Sequence, residues 1–166
     1  MYGPSKTLGA GSWRLLAAVL VTLASVAFPE SAQAAAVRID ESGTVVSDPV
    51  VNMKWRLPSG GRALDNIVEA TLRVDVRLNL APWINKQSRI YMVLAPVNSD
   101  RVRARWTTQG RLLPGTLASG ERALVYQGPA APATLVESLL LTLETDGERL
   151  TQQQTLNFHF EIEVAP

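Results

Sequence analysis

Residues 69–80 read EATLRVDVRLNL, and this stretch decides the fold class. Ala70, Leu72, Val74, Val76, Leu78 and Leu80 alternate with Glu69, Thr71, Arg73, Asp75, Arg77 and Asn79. A strand sends successive side chains to opposite faces, so every apolar residue here falls on one side, whereas a helix would spread them around its circumference. The spacing predicts a strand with one face in a core and the other in water.

The same period recurs in both directions along the chain. Upstream, a polar lead-in at 37–47 precedes residues 51–57, where Val51, Met53, Trp55 and Leu57 oppose Asn52, Lys54 and Arg56, and PSGG at 58–61 supplies turn chemistry. Downstream, the pattern breaks at 81–87, which contains Trp83, and RIYMVL at 89–94 is then apolar on both faces, as a central strand requires. Residues 101–107 alternate again, with Val102, Ala104 and Trp106 opposite Arg101, Arg103 and Arg105. Residues 108–120 hold three glycines and a proline, so a long loop with a short strand at Leu112 and Leu113 is expected. Residues 123–127 read as a further short strand and 128–132 as a linker.

Residues 135–144 admit two readings. Thr134 and Glu137 have capping-box spacing, and Leu135, Leu139, Leu140 and Leu143 line one side of a helix. Equally, Leu139, Leu141 and Leu143 alternate with Leu140, Thr142 and Glu144 on the way to an expected hairpin turn at Asp146-Gly147. The flanking β pattern favours the strand. At the end of the chain, Leu156, Phe158, Phe160, Ile162 and Val164 oppose Asn157, His159, Glu161 and Glu163, which builds the C-terminus into a sheet. About seven strands without a βαβ rhythm point to an all-β domain over 35–166, an antiparallel two-sheet sandwich, with a small β-barrel as the alternative closure. The general pattern is similar to pilin-like and other immunoglobulin-like exported domains, although no motif assigns a family.

Ahead of this domain, residues 1–14 carry Lys6 and Arg14 and no acid, and residues 15–28 (LLAAVLVTLASVAF) are apolar. Pro29 ends that run, and Ala32 and Ala34 fit the small-residue site of a signal peptidase. The run is shorter than the ~20 residues that span a bilayer, so 1–34 reads as a cleaved signal peptide and the mature chain as free of a membrane span. Cleavage there takes away Lys6, Arg14 and Glu30, and the 16 basic and 15 acidic residues become 14 of each. A neutral mature chain lacks the field that draws in nucleic acid. With no cysteine, the chain has no disulfide, thiol nucleophile or thiolate metal site, and stability must come from packing and backbone pairing.

Motifs for chemistry are sparse. Neither a G-x-S-x-G elbow nor a P-loop is present. His159, the only histidine, shares a strand face with Glu161, but a metal site or a catalytic base would need partners from other strands. Carboxylate pairs can be drawn in many ways from 14 acids, so none is singled out. Trp83 in its loop offers a ring for stacking on a sugar. Arg101, Arg103 and Arg105, spaced ~7 Å apart along a strand, form a line that matches an acidic polymer, with Arg111 nearby. The expectation is an exported, non-catalytic protein without a cofactor or metal that associates with envelope or appendage proteins in the periplasm or at the cell surface. The alternative is a module binding a sugar or acidic polymer through Trp83 and these arginines. A hydrolase using carboxylates or His159 comes third.

If residues 1–34 are a signal peptide, N-terminal sequencing of the exported chain will begin at Ala35, or one or two residues later. Recovery of a chain that retains the leader counts against this reading.

Overall fold

The computed structural model describes residues 35–56, 66–96, 102–148 and 156–165. The expected leader at 1–34, the turn at 58–61 and Arg101 lie outside the described residues. Ten strands follow in chain order: β1 (Val37–Arg38), β2 (Val45–Val46), β3 (Lys54–Trp55), β4 (Ile67–Asn79), β5 (Gln87–Leu94), β6 (Arg103–Thr108), β7 (Gly115–Ala118), β8 (Arg122–Pro129), β9 (Thr134–Asp146) and β10 (Phe158–Val164). They form two antiparallel sheets. One is four-stranded in the order β1-β10-β5-β8. The other is six-stranded in the order β2-β4-β9-β6-β7, with β3 also on β4.

The deciding stretch becomes β4, and its alternation is realised residue by residue: Val68 through Leu78 are buried at every even position, and Leu80 just beyond the strand is fully buried. β9 takes the strand reading, pairing with β4 along its entire length from Ile67↔Asp146 to Asn79↔Thr134. The helical alternative fails because Leu135, Leu139, Leu141 and Leu143 share the buried face of a strand while Leu140 points outward. β5 is internal to its sheet, as expected of a run apolar on both faces: Ile90, Met92 and Leu94 are buried while Tyr91 and Val93 are half-buried on the other side. β10 carries the C-terminal pattern, pairing with β5 from Phe158↔Leu94 to Val164↔Ser88.

The inner faces share one apolar core, with Val74, Val76, Leu78, Trp106, Leu139 and Leu141 from the larger sheet against Ile90, Met92, Val125, Phe160 and Ile162 from the smaller. No helix among the described residues is long and apolar enough to cross a membrane.

Several expectations are corrected. The sheets do not close into a barrel: among the described residues no strand of one sheet pairs with a strand of the other, and what crosses is isolated, such as the bridge Asp40↔Asn79 and the Leu113 N–H to the Val125 carbonyl at 2.7 Å. The polar lead-in contains β1 and β2 and also Ile39, which is 2% exposed in the core; strands of two residues have no period to read. Among the described residues 51–56, Lys54 and Trp55 form the strand, and Trp55 is 58% exposed rather than core, whereas Val51 and Met53 do pack against the core. β3 holds Trp55 at the rim of β4, opposite Val68 and with its ring against Gly147. The short strand of the 108–120 loop falls at β7 and not at Leu112-Leu113, since Leu112 is buried as an anchor. Residues 128–129 continue β8 rather than starting a linker. Asp146-Gly147 is no hairpin turn, because β9 and β10 lie in different sheets. Between β7 and β8 the chain changes sheets at Gly120, whose φ of 84° is a left-handed conformation that glycine adopts without strain.

Phe160 is fully buried at the centre of β10 and meets Phe158 edge-to-face at 6.4 Å. Phe160→Ala should cost about 3–5 kcal/mol of stability through the cavity it leaves. Urea unfolding monitored by circular dichroism measures it, and a loss below about 1 kcal/mol would mean that the two sheets do not share this core.

Candidate functional site

Because one face of the larger sheet is committed to the core, everything its strands display to water is set by the opposite parity. On β4 that face carries Glu69, Thr71, Arg73, Asp75 and Arg77; on β9, Val136, Ser138, Leu140, Thr142 and Glu144; on β6, Arg103, Arg105 and Thr107. β2 adds Val45, opposite Asp75. Register then decides which of these meet. Thr71 sits beside Thr142, their hydroxyls 3.3 Å apart, and the Ser138 hydroxyl donates to Asp75 Oδ1. Glu144 accepts from Arg105 at 3.2 Å and lies 3.9 Å from Arg56. Arg73 is opposite Leu140 and Arg77 opposite Val136, neither of which can take a proton or a charge.

The face is therefore divided chemically. Of its acids, Asp75 and Glu144 are engaged and Glu69 lies towards one end, opposite Lys54 and Glu144, while Arg73, Arg77 and Arg103 form no salt bridge among the described residues. Between these guanidinium groups stand aliphatic side chains open to solvent: Val45 58% exposed, Val136 65% and Leu140 53%. Single exposed apolar residues are ordinary on a protein surface. Three stand on one sheet face, two of them directly beside Arg73 and Arg77, and arginine is the charged residue enriched where proteins associate.

The residues expected from sequence to bind a ligand are not brought together. Arg103 and Arg105 do share the outer face of β6, but Arg105 is held by Glu144. Arg111 stands off the sheet in the loop after β6, where its side chain donates to the Ala131 carbonyl. That loop is organised by Glu137, whose carboxylate accepts the Thr108 hydroxyl at 3.1 Å, the Leu112 N–H at 3.2 Å and the Arg111 N–H. Glu137 thus caps a loop and not a helix, and Gly110 lies so close that any side chain there would strike the carboxylate. Trp83 ends a 3-10 turn, Ala81–Trp83, and is half-buried against the core rather than displayed as a platform.

On the smaller sheet, His159 Nε2 is 3.2 Å from Glu161 Oε1, both side chains partly covered. Among the described residues no group of three or more His, Cys, Asp and Glu side chains is placed to hold a metal ion. Beside them Arg122 reaches across β5, its guanidinium 4.4 Å from the Tyr91 ring centre and 2.8 Å from Glu163 Oε1. The hydrogen bond that Arg122 donates to Glu163 raises the Arg122 pKa further, so the cation is permanent. This cluster links β8, β5 and β10.

Arg73, Arg77, Val136 and Leu140 were not singled out by sequence. Alternation does place all four on the polar side, but their isolation depends on cross-strand register. Comparison with protein-family models, with curated proteins and with solved structures finds no match.

Glu137→Ala should leave the amides of Arg111 and Leu112 without acceptors and cost about 1–3 kcal/mol. Hydrogen exchange should show those two amides losing protection well before the β4 and β9 amides. Unchanged protection would mean that Glu137 does not hold the loop.

Proposed function

We propose that the chain is an exported, non-catalytic protein that works by association with other proteins of the cell envelope or of a surface appendage. In this reading residues 1–34 are removed on export, and the remainder is a β-sandwich of immunoglobulin-like pattern in the periplasm or at the cell surface. The single observation that carries the reading is the outer face of the larger sheet, where uncompensated Arg73 and Arg77 stand beside exposed Leu140 and Val136. Such a surface keeps two kinds of group that a partner would satisfy, charge and apolar area. A hydrolase using carboxylates or His159 is the third reading; among the described residues the His159–Glu161 pair belongs to no group of three or more side chains placed to hold a metal ion.

A second reading, binding of an acidic polymer, draws support from the same arginines. Of the residues expected to serve it, Trp83 is half-buried, Arg105 is paired to Glu144 and Arg111 donates to a backbone carbonyl.

Site-specific photo-cross-linking in intact producing cells tests the association. A cross-linker at position 140 should give a discrete adduct with one exported protein, and one at Gln127, on the other sheet, should give none. Absence of an adduct from positions 136, 140 and 45 alike would overturn the proposal.

A further inference from the structure

We infer that the partner seated on the outer face of β4 and β9 is a protein segment bearing carboxylates about four residues apart with aliphatic side chains between them; this rests on the association reading above. Arg73 and Arg77 are separated by four residues of strand, a rise of ~13 Å, and Leu140 and Val136 stand opposite them at the same separation. The Asp75–Ser138 pair between them is internally satisfied, and Val45 borders it on β2. The surface thus repeats one unit, a guanidinium beside an aliphatic group, at the pitch of an extended chain.

Charge complementarity fixes the sign of the occupant. Glu144 takes Arg105, and Asp75 keeps its charge while accepting the Ser138 hydroxyl, so the two arginines Arg73 and Arg77 outnumber the one carboxylate between them and this part of the face is cationic. A guanidinium pairs best with a carboxylate, through two parallel hydrogen bonds. The aliphatic half of the unit decides between macromolecules. An acidic polysaccharide has carboxylates but nothing to cover Val45, Val136 and Leu140, which would stay in water at 58%, 65% and 53% exposure. A peptide alternating acidic and aliphatic residues covers both. The stem of Arg77 lies over Gly43, so it is Arg73 that can lay its methylene stem along the partner's apolar groups while both charged ends meet its acids.

The test uses the exported chain and three probes: a synthetic peptide with glutamates four residues apart and leucines or valines between, the same peptide with lysine for glutamate, and polygalacturonate. Fluorescence anisotropy or calorimetry should show binding of the acidic peptide, with the lysine version and polygalacturonate each weaker by about tenfold or more. Arg73→Glu with Arg77→Glu should weaken the acidic peptide by about tenfold or more, Leu140→Ser should weaken it several-fold, and Arg89→Glu on the other sheet should leave it unchanged. Should the double charge reversal fail to fold, Arg73→Gln with Arg77→Gln serves in its place.

Polygalacturonate binding as tightly as the peptide, with Leu140→Ser silent, overturns the inference in favour of a polymer ligand. No binding of the acidic peptide, or binding indifferent to the arginine substitutions, overturns it as well. Because cross-linking at position 140 reports any protein partner, an adduct there without peptide binding would sink this inference and leave the association reading standing.

Discussion

The pairing of β4 with β9 is the constraint from which the rest of the structure follows. Thirteen residues of each strand face one another without a bulge, so a single register, Val74↔Leu139 and its neighbours, sets the position of every side chain on both faces of the larger sheet. A slip of one residue in either strand would carry its apolar set from the core to water. β2, β3 and β6 then attach to edges this pair has already defined, and the smaller sheet closes over its apolar side. The outer face is a by-product of the same register, since Leu140 and Val136 are outward because Leu139 and Leu135 are inward.

Without cysteine, carboxylates do much of the work of ending strands and holding loops. Glu41 accepts the N–H of Phe160 at 2.9 Å on the edge of β10, where β1 covers only two residues. Glu121 accepts the N–H of Ala118 at 2.9 Å at the end of β7, and Glu137 takes two loop amides beyond β6. Each occupies an edge or loop donor that would otherwise be free to pair with another chain, the hazard of any exposed strand edge. An ionised carboxylate is suited to this because it is acceptor-only and satisfies more than one donor.

Much of the fold was legible before any coordinates, and the limits of that reading have physical causes. β4, β9 and β10 are long and half-buried, so period two survives in Leu72-Val74-Val76, in Leu139-Leu141-Leu143 and in Phe158-Phe160-Ile162. β1, β2 and β3 are two residues each, too short to show a period, and Ile39 is buried inside a segment that reads as polar. Trp55 keeps the correct parity yet stands at a rim, 58% exposed with its ring against Gly147, which parity alone does not reveal. The arginine line was legible as positions but not as chemistry. Whether an arginine is spent depends on what the adjacent strand brings within reach: Arg105 reaches Glu144 diagonally across β6 and β9, while Arg73 on β4 stands opposite Leu140. Those neighbours come from a distant part of the chain, set by the registers of β6 and of β4 on β9.

The two themes meet in the charge balance. If residues 1–34 are removed, acids and bases are equal in number at 14 each, and a neutral chain ought in principle to pair its charges within itself. Among the described residues Arg73, Arg77 and Arg103 nonetheless form no salt bridge, while some acids take uncharged donors. Glu121 and Glu137 are directed to main-chain amides, Glu137 takes a hydroxyl besides, and Asp75 takes that of Ser138. Glu41 serves both uses, taking Arg38 through one oxygen and the Phe160 N–H through the other. The guanidinium groups of Arg73 and Arg77 fall beside the aliphatic residues that the ladder turns outward. A surface with unmet charge and unmet apolar area is left where the register is most strictly held, so a partner would meet a rigid template there rather than a loop.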